Sequence, residues 1–522
     1  MERIKIQNIE SSNETLEAKK INTMRLGNID DIYKNIEEGI APTGAKQIID
    51  VFKQNNSLEK TRILISGGFV RDILLGESPK DIDFVTNLTY DKVKTLLENN
   101  LQNIKKIEAQ GQTFQVVRIV FENGEEYEIA TFRMDGEYKD GVHPETIVPI
   151  TSPGIDAMRR DFTINALFYN PLSGNVIDYV GGLLDISEKR LRFVGNPEER
   201  IKEDKSRMLR YARFILKTNF SINEKDKEAI RKHSSEINNI PKELLKKELD
   251  KMIKLSNGKN IIELLDELNL LENIFPELKE LEMCEQGAPY HMEGNVLIHT
   301  KMTCENLPEN ADPILKWAAM FHDIGKSETR KSEIKNGKEK ISFVGHDEIG
   351  AEKASHILKR LKFSRVEIKE ISWIIKNHLR IFMQIFDFIE NNNEETARIK
   401  SVKAIKKLIK QSSEKQVERL MDLAYADSES SIQESGNNNK KHFDKIFNFF
   451  EDAKKEIENE NKKGIDIEKI VNGRIIMEEL NLKSGSEIGK IKKQIIGELS
   501  ELDFETKEEA EKKFLEILKK LK

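Results

Sequence analysis

Two glycines and two aspartates between Ile63 and Thr86 have the types and spacing needed to bind phosphate groups and a divalent cation. Gly67-Gly68 follows one short apolar run, and Asp81-Ile82-Asp83 begins the next. Residues two apart on a strand point to the same face, so we expect the two carboxylates to project together. Carboxylate oxygens suit Mg²⁺, and a pair of such ions can activate a hydroxyl and stabilise a leaving pyrophosphate.

Three local elements must position these residues. Ile63 to Ile65 has the composition of a strand, the glycines permit a sharp turn, and Phe69 to Leu75 has apolar residues at helical spacing. A helix N-terminus after a glycine turn is a site for anions. Either pair alone is more often an ordinary turn or strand end, but both pairs in this order favour a functional site.

A third carboxylate is a possible neighbour of the aspartate pair. In EEYEIATFR, Glu128 shares one strand face with Ala130 and Phe132, opposite Tyr127 and Ile129. The sequence favours two interpretations of Glu128 equally. It is either a third carboxylate near the aspartate pair or an edge-strand glutamate that faces water. Further along the chain, Arg159-Arg160 begins an amphipathic segment whose guanidinium groups match phosphate geometry.

Asn165 in the same segment could bond a ribose hydroxyl, although a surface Arg-Asp pair is the simpler interpretation of the segment taken alone. Asp204 and Arg207 are three apart, so on one helix they would lie side by side. A carboxylate accepts from the exocyclic amino group that cytosine and adenine share, and a guanidinium serves the adjacent acceptor. Without other motifs, this pair would be interpreted as a surface salt bridge.

These motifs resemble those of the nucleotidyltransferase superfamily, in the branch of tRNA CCA-adding enzymes and bacterial poly(A) polymerases. GGFVRDILLG followed by DID is similar to the family's first motif, RRDFTINAL to its second, and EDxxR followed by LRYARF to its base-selecting motif. The resemblance implies a Mg²⁺ site at Asp81 and Asp83. It also implies nucleotide contacts from Gly67, Gly68, Arg71, Arg160, Asp161, Asn165, Asp204, Arg207 and Arg210.

The segment from Phe132 to Val148 resembles the flexible loop that lets CCA-adding enzymes switch from adding C to adding A. The matching positions are Arg133, Asp135, Asp140 and His143. Taken alone, this segment would be an ordinary solvated loop. Its presence favours the complete CCA activity.

A second group of candidate ligands begins near residue 285. Five of the nine histidines lie between His291 and His356, and FHDIGK places His322-Asp323 after an apolar helical run. This segment resembles the HD phosphohydrolase superfamily, which implies metal ligands at His299, His322, Asp323, His346, His378 and Asp427. Asp422 competes with Asp427, and His291 and His356 are interpreted as ordinary residues. Mn, Ni, Fe, Co or Mg would suit such a site.

The whole chain of 522 residues has a formal net charge of −6, with 34% charged residues and a mean hydropathy of −0.56. It is therefore not a globally basic nucleic-acid binder, and RNA contacts must come from local patches. The two cysteines cannot build a disulfide framework, and no apolar run is long enough for a membrane span. We expect a cytoplasmic protein without a membrane partner.

These features predict an α+β chain: a small N-terminal nucleotidyltransferase head with a mixed β-sheet, followed by a mostly α-helical neck, HD region and tail. The expected parts are an N-terminal extension at 1–50, the head at 51–190, a nucleotide-selecting and RNA-binding neck at 191–282, the HD metal domain at 283–435 and a helical body at 436–522. The body resembles the family's C-terminal part, although Ile475 departs from the usual aspartate.

The resemblance implies a tRNA nucleotidyltransferase that adds or repairs the 3′-CCA end, with the tRNA acceptor end, CTP and ATP as partners and no DNA. A poly(A) polymerase, an A-adding enzyme and a CC-adding enzyme remain alternatives, because their heads share these motifs. In another class, the HD site would carry the main phosphohydrolase or phosphodiesterase function and the head would only bind RNA. A non-catalytic RNA-binding protein is disfavoured by the complete aspartate pair.

Overall fold

The structure is a computed structural model, and the chain divides into two compact units. The first is Met1–Leu249 with Glu267–Ile274, and the second is Asp250–Asp266 with Phe275–Lys522. Asp140 and His143 of the expected flexible loop lie outside the described residues. The residues that the structure describes are 43–55, 61–109, 116–138, 141, 144–287, 291–335, 338–432, 440–462, 467–482, 485–499, 502, 504 and 506–521.

A mixed sheet lies at the centre of the first unit. Its head strands are β1 (Ile63–Ser66), β2 (Asp83–Thr86), β3 (Ile104–Ala109), β4 (Val116–Phe121), β5 (Glu126–Thr131), β6 (Arg133–Asp135), β7 (Ile147–Pro149), β8 (Leu167–Asn170) and β9 (Asn175–Asp178). The sheet order is β3-β4-β5-β2-β1-β8-β9, while β6 and β7 form a separate antiparallel pair. β2 and β5 run parallel, whereas β1 is antiparallel to both β2 and β8. The predicted mixed sheet is confirmed.

Helices cover this sheet with their apolar faces. They are α1 (Thr43–Gln54), α2 (Gly68–Leu74), α3 (Tyr90–Asn100), α4 (Pro153–Met158) and α5 (Gly182–Ser187). Ala45, Ile48 and Phe52 of α1 are buried in one core with Ile63 and Ile65 of β1. The expected boundary at residue 50 therefore falls inside a helix of the head core.

The expectation that Asp81 lies on the same strand as Asp83 is wrong. β2 begins at Asp83, and its register pairs Phe84 with Ile65 of β1. β1 ends at Ser66 and the chain turns at Gly67, so the segment before Asp83 runs past the end of the β1 ladder. Asp81 is instead an exposed residue in the loop that leads into β2.

Mostly helical structure follows the head. Its elements are β10 (Arg190–Leu191), α6 (Pro197–Glu203), α7 (Arg207–Thr218), β11 (Ser221–Ile222), α8 (Glu224–His233), α9 (Lys242–Leu255), α10 (Gly258–Glu267), α11 (Leu271–Ile274) and α12 (Pro276–Lys279). The expectation of one helix through Asp204 and Arg207 is wrong, because Asp204 is extended with φ −137° and ψ 103°. Its Oδ1 accepts from the backbone N–H and hydroxyl of Ser206, a local bond that favours a turn over a helix.

The second unit is built from helices and one β-hairpin. They are α13 (Val296–Glu305), α14 (Pro313–Phe321), α15 (Lys326–Thr329), β12 (Lys331–Lys335), β13 (Lys338–Ser342), α16 (His346–Arg360), α17 (Arg365–Asn377), α18 (Arg380–Asn391), α19 (Glu394–Gln411) and α20 (Glu414–Ser430). Side chains cap several of these helices: Asn295 accepts from Ile298 N–H, and Asp312 accepts from Leu315 N–H. These caps fix the starts of α13 and α14.

The C-terminal helices are α21 (Lys440–Lys462), α22 (Ile467–Ile470), α23 (Gly473–Leu480), α24 (Ser486–Leu499) and α25 (Lys507–Lys520). Residues of α22 to α25 share an apolar core, which includes Val471, Ile495 and Phe514, and Ile475 packs against it. Packing thus accounts for an apolar residue at position 475. No helix in the described part of the chain is long and apolar enough to cross a membrane.

Candidate active site and metal centre

One cavity of about 570 Å³ in the head brings together most of the residues singled out in the first half of the sequence. Its lining includes Gly67, Gly68, Arg71, Asp83, Glu128, Arg133, Asp135, Arg160, Asp161, Asn165, Asp204, Arg207 and Arg210. These residues come from the glycine turn and α2, from β2, β5 and β6, from the segment after α4, and from the junction of α6 and α7. The arrangement places carboxylates, guanidinium groups and a glycine turn around one space large enough for a nucleotide.

Gly67 allows the close approach of a guanidinium group. Its φ is +68°, a backbone conformation that residues other than glycine rarely adopt. A Cβ added at this position would lie 3.1 Å from Nη1 of Arg160. However, the Gly67 N–H donates to the carbonyl oxygen of Leu167 at 3.1 Å. The backbone N–H of Gly67 is therefore used by the sheet, and the positive charge available to a phosphate comes from the arginines.

Arg71 and Arg160 are both held in place by neighbouring residues. Nη1 of Arg71 donates to Oδ1 of Asn165 at 2.5 Å, and Nη2 pairs with Asp72 at 2.7 Å. Nη1 of Arg160 donates to the carbonyl oxygen of Asn165 at 3.1 Å, and Nη2 pairs with the fully buried Asp156 at 3.0 Å. The two guanidinium groups thus meet at Asn165, with their orientations set before a ligand binds.

Asp161 and Arg210 form an ion pair in the lining of the cavity. Oδ2 of Asp161 accepts from Nε of Arg210 at 3.0 Å, and Oδ1 accepts from Nδ2 of Asn165 at 3.0 Å. Burial alone would raise the pKa of Asp161, but Arg210 and Asn165 outweigh it and lower the pKa to about 2. Both polar atoms of the Asn165 amide are therefore bonded within the site, the oxygen to Arg71 and the nitrogen to Asp161. The role that these bonds support is to orient the two charged side chains, whereas the expected bond to a ribose hydroxyl would need one of these atoms.

Asp83 and Glu128 lie directly opposite each other on the parallel pair β2 and β5. Asp83 is exposed as a residue, yet the atoms around its carboxylate exclude enough water to raise its pKa. The negative charges of Glu128 and Asp81 raise that pKa further, while Arg160 lowers it. A divalent cation would relieve this repulsion, so Asp83 and Glu128 suit a Mg²⁺ site, whereas Asp81 is not among the residues that line the cavity. Of the two interpretations of Glu128, the register favours the third carboxylate.

Asp204 and Arg207 line the same cavity although they do not share a helix. Nη1 of Arg207 pairs with Glu203 at 2.7 Å, and Nη2 donates to the carbonyl oxygen of Arg159 at 3.2 Å. Burial raises the pKa of Asp204, while bonds from Ser206 and the charge of Arg207 oppose that rise. Ser206 bonds Oδ1 only, so Oδ2 of Asp204 is left to accept from a base.

The β6–β7 hairpin contributes the described part of the expected flexible loop. Arg133 pairs with Asp135 at 3.0 Å, and the hydroxyl of Tyr138 donates to Oδ2 of Asp135 at 2.8 Å. Tyr138 also lines the cavity, as does Phe214 of α7, and the sequence analysis missed both. The position of Tyr138 within the loop was the available signal, because aromatic side chains in binding loops often contact planar ligands.

In the second unit, the six predicted HD ligands lie together as two groups of three. His299, His322 and Asp427 form one group, and the other contains Asp323, His346 and His378. In each group, one ligand atom per residue lies within 4.8 Å of the others. Asp422 belongs to neither group, so of the two candidate aspartates the structure favours Asp427 as the ligand.

Within the groups, one pair of donor atoms lies at hydrogen-bond distance and another at the separation of ligands around one ion. Nε2 of His299 lies 2.8 Å from Oδ1 of Asp427, and Nε2 of His346 lies 3.3 Å from Oδ1 of Asp323. Donors at about 2.0–2.2 Å from one ion are themselves separated by roughly 3 to 3.5 Å. Nε2 of His322, His346 and His378 is buried and has no hydrogen-bond partner within the described ranges. Unpartnered nitrogens of this kind fit metal ligation.

Two members of the cluster are held in their ligating forms, whereas two histidines have raised pKa values. Burial and the charges of His322 and His346 lower the pKa of His378 to about 4, so this imidazole is neutral with a lone pair to offer. Burial raises the pKa of Asp323, but His322 and Lys326 outweigh it and hold the pKa well below its usual range. Asp323 is therefore a carboxylate.

The two histidines with raised pKa values are His299 and His346. Burial lowers the pKa of His299, but Asp427 and Glu293 outweigh it and raise the pKa to about 9. Burial also lowers the pKa of His346, but Asp323 outweighs it in the same way and raises the pKa. An ion would therefore displace protons from these two rings.

Two residues beside the cluster were missed by sequence reasoning. Nζ of Lys326 lies 2.6 Å from Oδ2 of Asp323, and the side chain of Glu293 lies against His299 and His291. A cavity of about 850 Å³ beside the cluster is lined by Lys326 and His291, so His291 is closer to the site than expected. Lys326 is the last residue of FHDIGK and could have been found there.

Three parts of the chain match described protein families. Residues 63–192 match "Poly A polymerase head domain", residues 219–282 match "Probable RNA and SrmB- binding site of polymerase A", and residues 291–432 match "HD domain". The chain therefore belongs to the class II nucleotidyltransferases that carry an HD domain, the family of CCA-adding enzymes and poly(A) polymerases I.

Curated relatives are divided between those two activities. Poly(A) polymerase I of Salmonella typhimurium is 35% identical over 269 residues, 49% of this chain and 55% of that protein. The CCA-adding enzyme of Bacillus pumilus is 37% identical over 266 residues, 51% of this chain and 60% of that protein. The matches thus span little more than half the length of these relatives.

Solved structures show the same fold. The CCA-adding enzyme of Bacillus stearothermophilus in complex with CTP has a TM-score of 0.59 and 19% identity, over 92% of this chain and 99% of that chain. The α+β fold with an N-terminal head and a largely helical remainder is confirmed by this likeness.

Proposed function

We propose that this chain is a tRNA nucleotidyltransferase that adds or repairs the 3′-terminal CCA from CTP and ATP, without a nucleic-acid template and with release of pyrophosphate. The observation that carries the proposal is that Asp204 and Arg207 line the same cavity as Asp83, Glu128 and the arginines. A base-selecting pair, a carboxylate pair and a phosphate-binding group within one space are what templateless nucleotidyl transfer requires.

Arg71 and Arg160 would hold the triphosphate, because their guanidinium groups already meet at Asn165 and are oriented by Asp72 and Asp156. The 3′-hydroxyl of the RNA attacks the α-phosphate in line, a new phosphodiester forms, and pyrophosphate leaves. Bound Mg²⁺ would supply activation of that hydroxyl and stabilisation of the pyrophosphate. Asp83 and Glu128 would hold it, since a cation would offset the repulsion that raises the pKa of Asp83. Asp81, two residues before Asp83, would join them if its loop moves toward the cavity when the ion binds.

Base selection follows from the donors and acceptors of Asp204 and Arg207. Oδ2 of Asp204 accepts the exocyclic amino proton of cytosine or adenine, and Arg207 donates to the adjacent ring nitrogen. Guanine and uracil present a carbonyl oxygen to the carboxylate and are refused. Because Arg207 is anchored by Glu203 and by the carbonyl oxygen of Arg159, its donors keep one geometry for both accepted bases.

Labelled CTP and ATP, offered with tRNA transcripts that end before CCA, after CC and after CCA, test the proposal. We expect C, C and A to be added and synthesis then to stop. Asp83→Asn should abolish incorporation and keep the parent melting temperature. Asp91→Asn, an exposed carboxylate at the start of α3, serves as the control and should retain activity. Incorporation by Asp83→Asn at the parent rate would refute the assignment.

Poly(A) polymerase activity is the nearest alternative, since relatives of both kinds match at 35% and 37% identity. The hairpin β6–β7 at the expected flexible loop supports CCA addition. The same assay separates the alternatives. Unlimited addition of A to any RNA would identify a poly(A) polymerase, and addition of only A or only CC would identify one half of a divided pathway.

The two groups of three ligands in the second unit support an accessory activity, hydrolysis of phosphoesters. Metal ions held by these residues would supply Lewis acidity for that reaction. Mn, Ni, Fe, Co and Mg all accept such a set of imidazoles and carboxylates. His322→Asn should abolish release of phosphate from a test phosphoester and leave nucleotide incorporation unchanged. Loss of both activities in His322→Asn would argue against two separate sites.

A further inference from the structure

Glu293 is a buried carboxylate beside the six predicted ligands, and neither proposed reaction gives it a role. Its side chain is 1% exposed, and Oε1 lies 2.9 Å from Nδ1 of His299 and 2.7 Å from Nδ1 of His291. Oε2 accepts from the backbone N–H of Ile432 at 2.9 Å. Burial of a charge costs free energy unless the charge is paired or hydrogen-bonded, so these contacts stabilise the carboxylate in its buried position.

Glu293 places an acceptor beside Nδ1 of His299, the nitrogen that must carry the proton when Nε2 binds an ion. His299 has Nδ1 toward Glu293 and Nε2 toward Asp427, whose Oδ1 is 2.8 Å away. An imidazole binds a metal through an unprotonated nitrogen, while the other nitrogen donates to a carboxylate or carbonyl. A proton on Nδ1 leaves the Nε2 lone pair for the ion. Nδ1 of His299 lies 2.9 Å from Oε1 of Glu293 without forming a hydrogen bond of good geometry, and an ion at Nε2 would leave the ring proton on Nδ1.

Glu293 also joins the two chain segments that carry the ligands of one group. Its partner Ile432 follows α20, the helix of Asp427, and the backbone N–H of Met292 donates to the carbonyl oxygen of Ile432 at 2.8 Å. His299 lies on α13, which begins at Val296, shortly after Glu293. One carboxylate and one backbone bond thus clasp the end of α20 to the start of α13.

We propose that Glu293 is a positioning residue of the metal centre. It presents a carboxylate oxygen to Nδ1 of His299 and fixes the end of α20, so that Nε2 of His299 and Oδ1 of Asp427 converge on one ion. The proposal rests on the metal site of the proposed accessory function. His291, Glu293 and His299 are close enough to hold an ion themselves. However, both oxygens of Glu293 already face N–H donors, and Nδ1 of His299 cannot serve both purposes.

Binding of Co²⁺ to the full chain tests this role without any activity assay. Co²⁺ absorbs visible light according to its ligand geometry, so titration reports affinity and a spectrum. Glu293→Gln keeps the shape of the side chain, but its amide can donate to Nδ1 and favour the wrong tautomer. We expect it to weaken Co²⁺ binding about tenfold or more and to change the spectrum, as loss of an outer partner does.

Asp422→Asn is the matched control, because Asp422 is a carboxylate of α20 outside both groups of ligands. It should bind Co²⁺ like the parent. Should Glu293→Gln fail to fold, Glu293→Asp decides instead, since the shorter side chain withdraws the carboxylate from His299 and should also bind more weakly. Parent-like affinity and spectrum in the folded Glu293 variant would overturn the role of Glu293 alone. A parent chain that binds no Co²⁺ would overturn the metal centre as well.

Discussion

Replacement of Asp226 in α8 should change how the stability of the first unit depends on pH. Asp226 is 3% exposed, and its Oδ2 accepts from the backbone N–H of Phe193 at 2.9 Å. Burial raises the pKa of its carboxyl from 3.8 to about 7. The Phe193 N–H and Arg192 oppose this rise, and Asp185 adds to it. The buried group therefore prefers to keep its proton.

The sign follows from the two pKa values. The folded chain holds this proton up to about pH 7, whereas the unfolded chain releases it near pH 3.8. Stability from the group is fully present below pH 3.8 and is lost as the pH rises through 7. At about 1.4 kcal/mol per unit, the gap of about 3 units is worth at most about 4 kcal/mol. About 3 kcal/mol of it is lost between roughly pH 5 and 8.5.

Asp226→Asn removes this dependence, since the amide stays neutral and keeps an oxygen for the Phe193 N–H. The difference in melting temperature, variant minus parent, should therefore be larger at about pH 8.5 than at about pH 5. The increase should be roughly 6 to 12 °C, at 2 to 4 °C per kcal/mol. Thermal unfolding followed by fluorescence measures this difference. Glu224→Gln, an exposed carboxyl of the same helix, should show no such trend. An Asp226→Asn difference that is equal at both pH values would refute the reasoning.

Two further predictions concern the head. Glu128→Gln should slow nucleotide incorporation about 100-fold, from loss of about 3 kcal/mol of charge stabilisation, at an unchanged melting temperature. Glu126→Gln on the same strand is the control, and an unchanged rate for Glu128→Gln would mean that Glu128 has no part in the reaction. Asp204→Asn should reduce the kcat/KM preference for CTP and ATP over UTP and GTP about tenfold or more, because one discriminating hydrogen bond is lost. An equal loss of kcat/KM for all four nucleotides would contradict its role in selection.

Local patterns were sufficient to find most residues of both sites. The residue types of GGFVRDILLG, RRDFTINAL and FHDIGK identified the glycine turn, Arg160 and His322-Asp323 before any tertiary contact was known. Sequence reasoning was less successful where a local bond competes with regular structure. Asp204 bonds Ser206 and ends the helix, and an aspartate two residues before a serine is a recognisable signal for such a turn.

Partners that lie far apart in the chain could not be found in this way. Glu293 was missed because its role depends on Ile432, which is 139 residues away. The use of the Gly67 N–H by Leu167 was missed because it depends on how β8 lies beside β1. Neither contact leaves a periodic pattern in the sequence.

The sequence by itself determined the local elements and the chemistry available to them. Alternation along β5 placed Glu128 opposite Tyr127, because side chains on a strand alternate between faces. Only the tertiary structure decided that Glu128 lies beside Asp83, through the register of β2 and β5, and that His299 meets Asp427 across 128 residues. The physical reason is that register and helix packing depend on the whole core, whereas helix and strand periodicity depend only on neighbours along the chain.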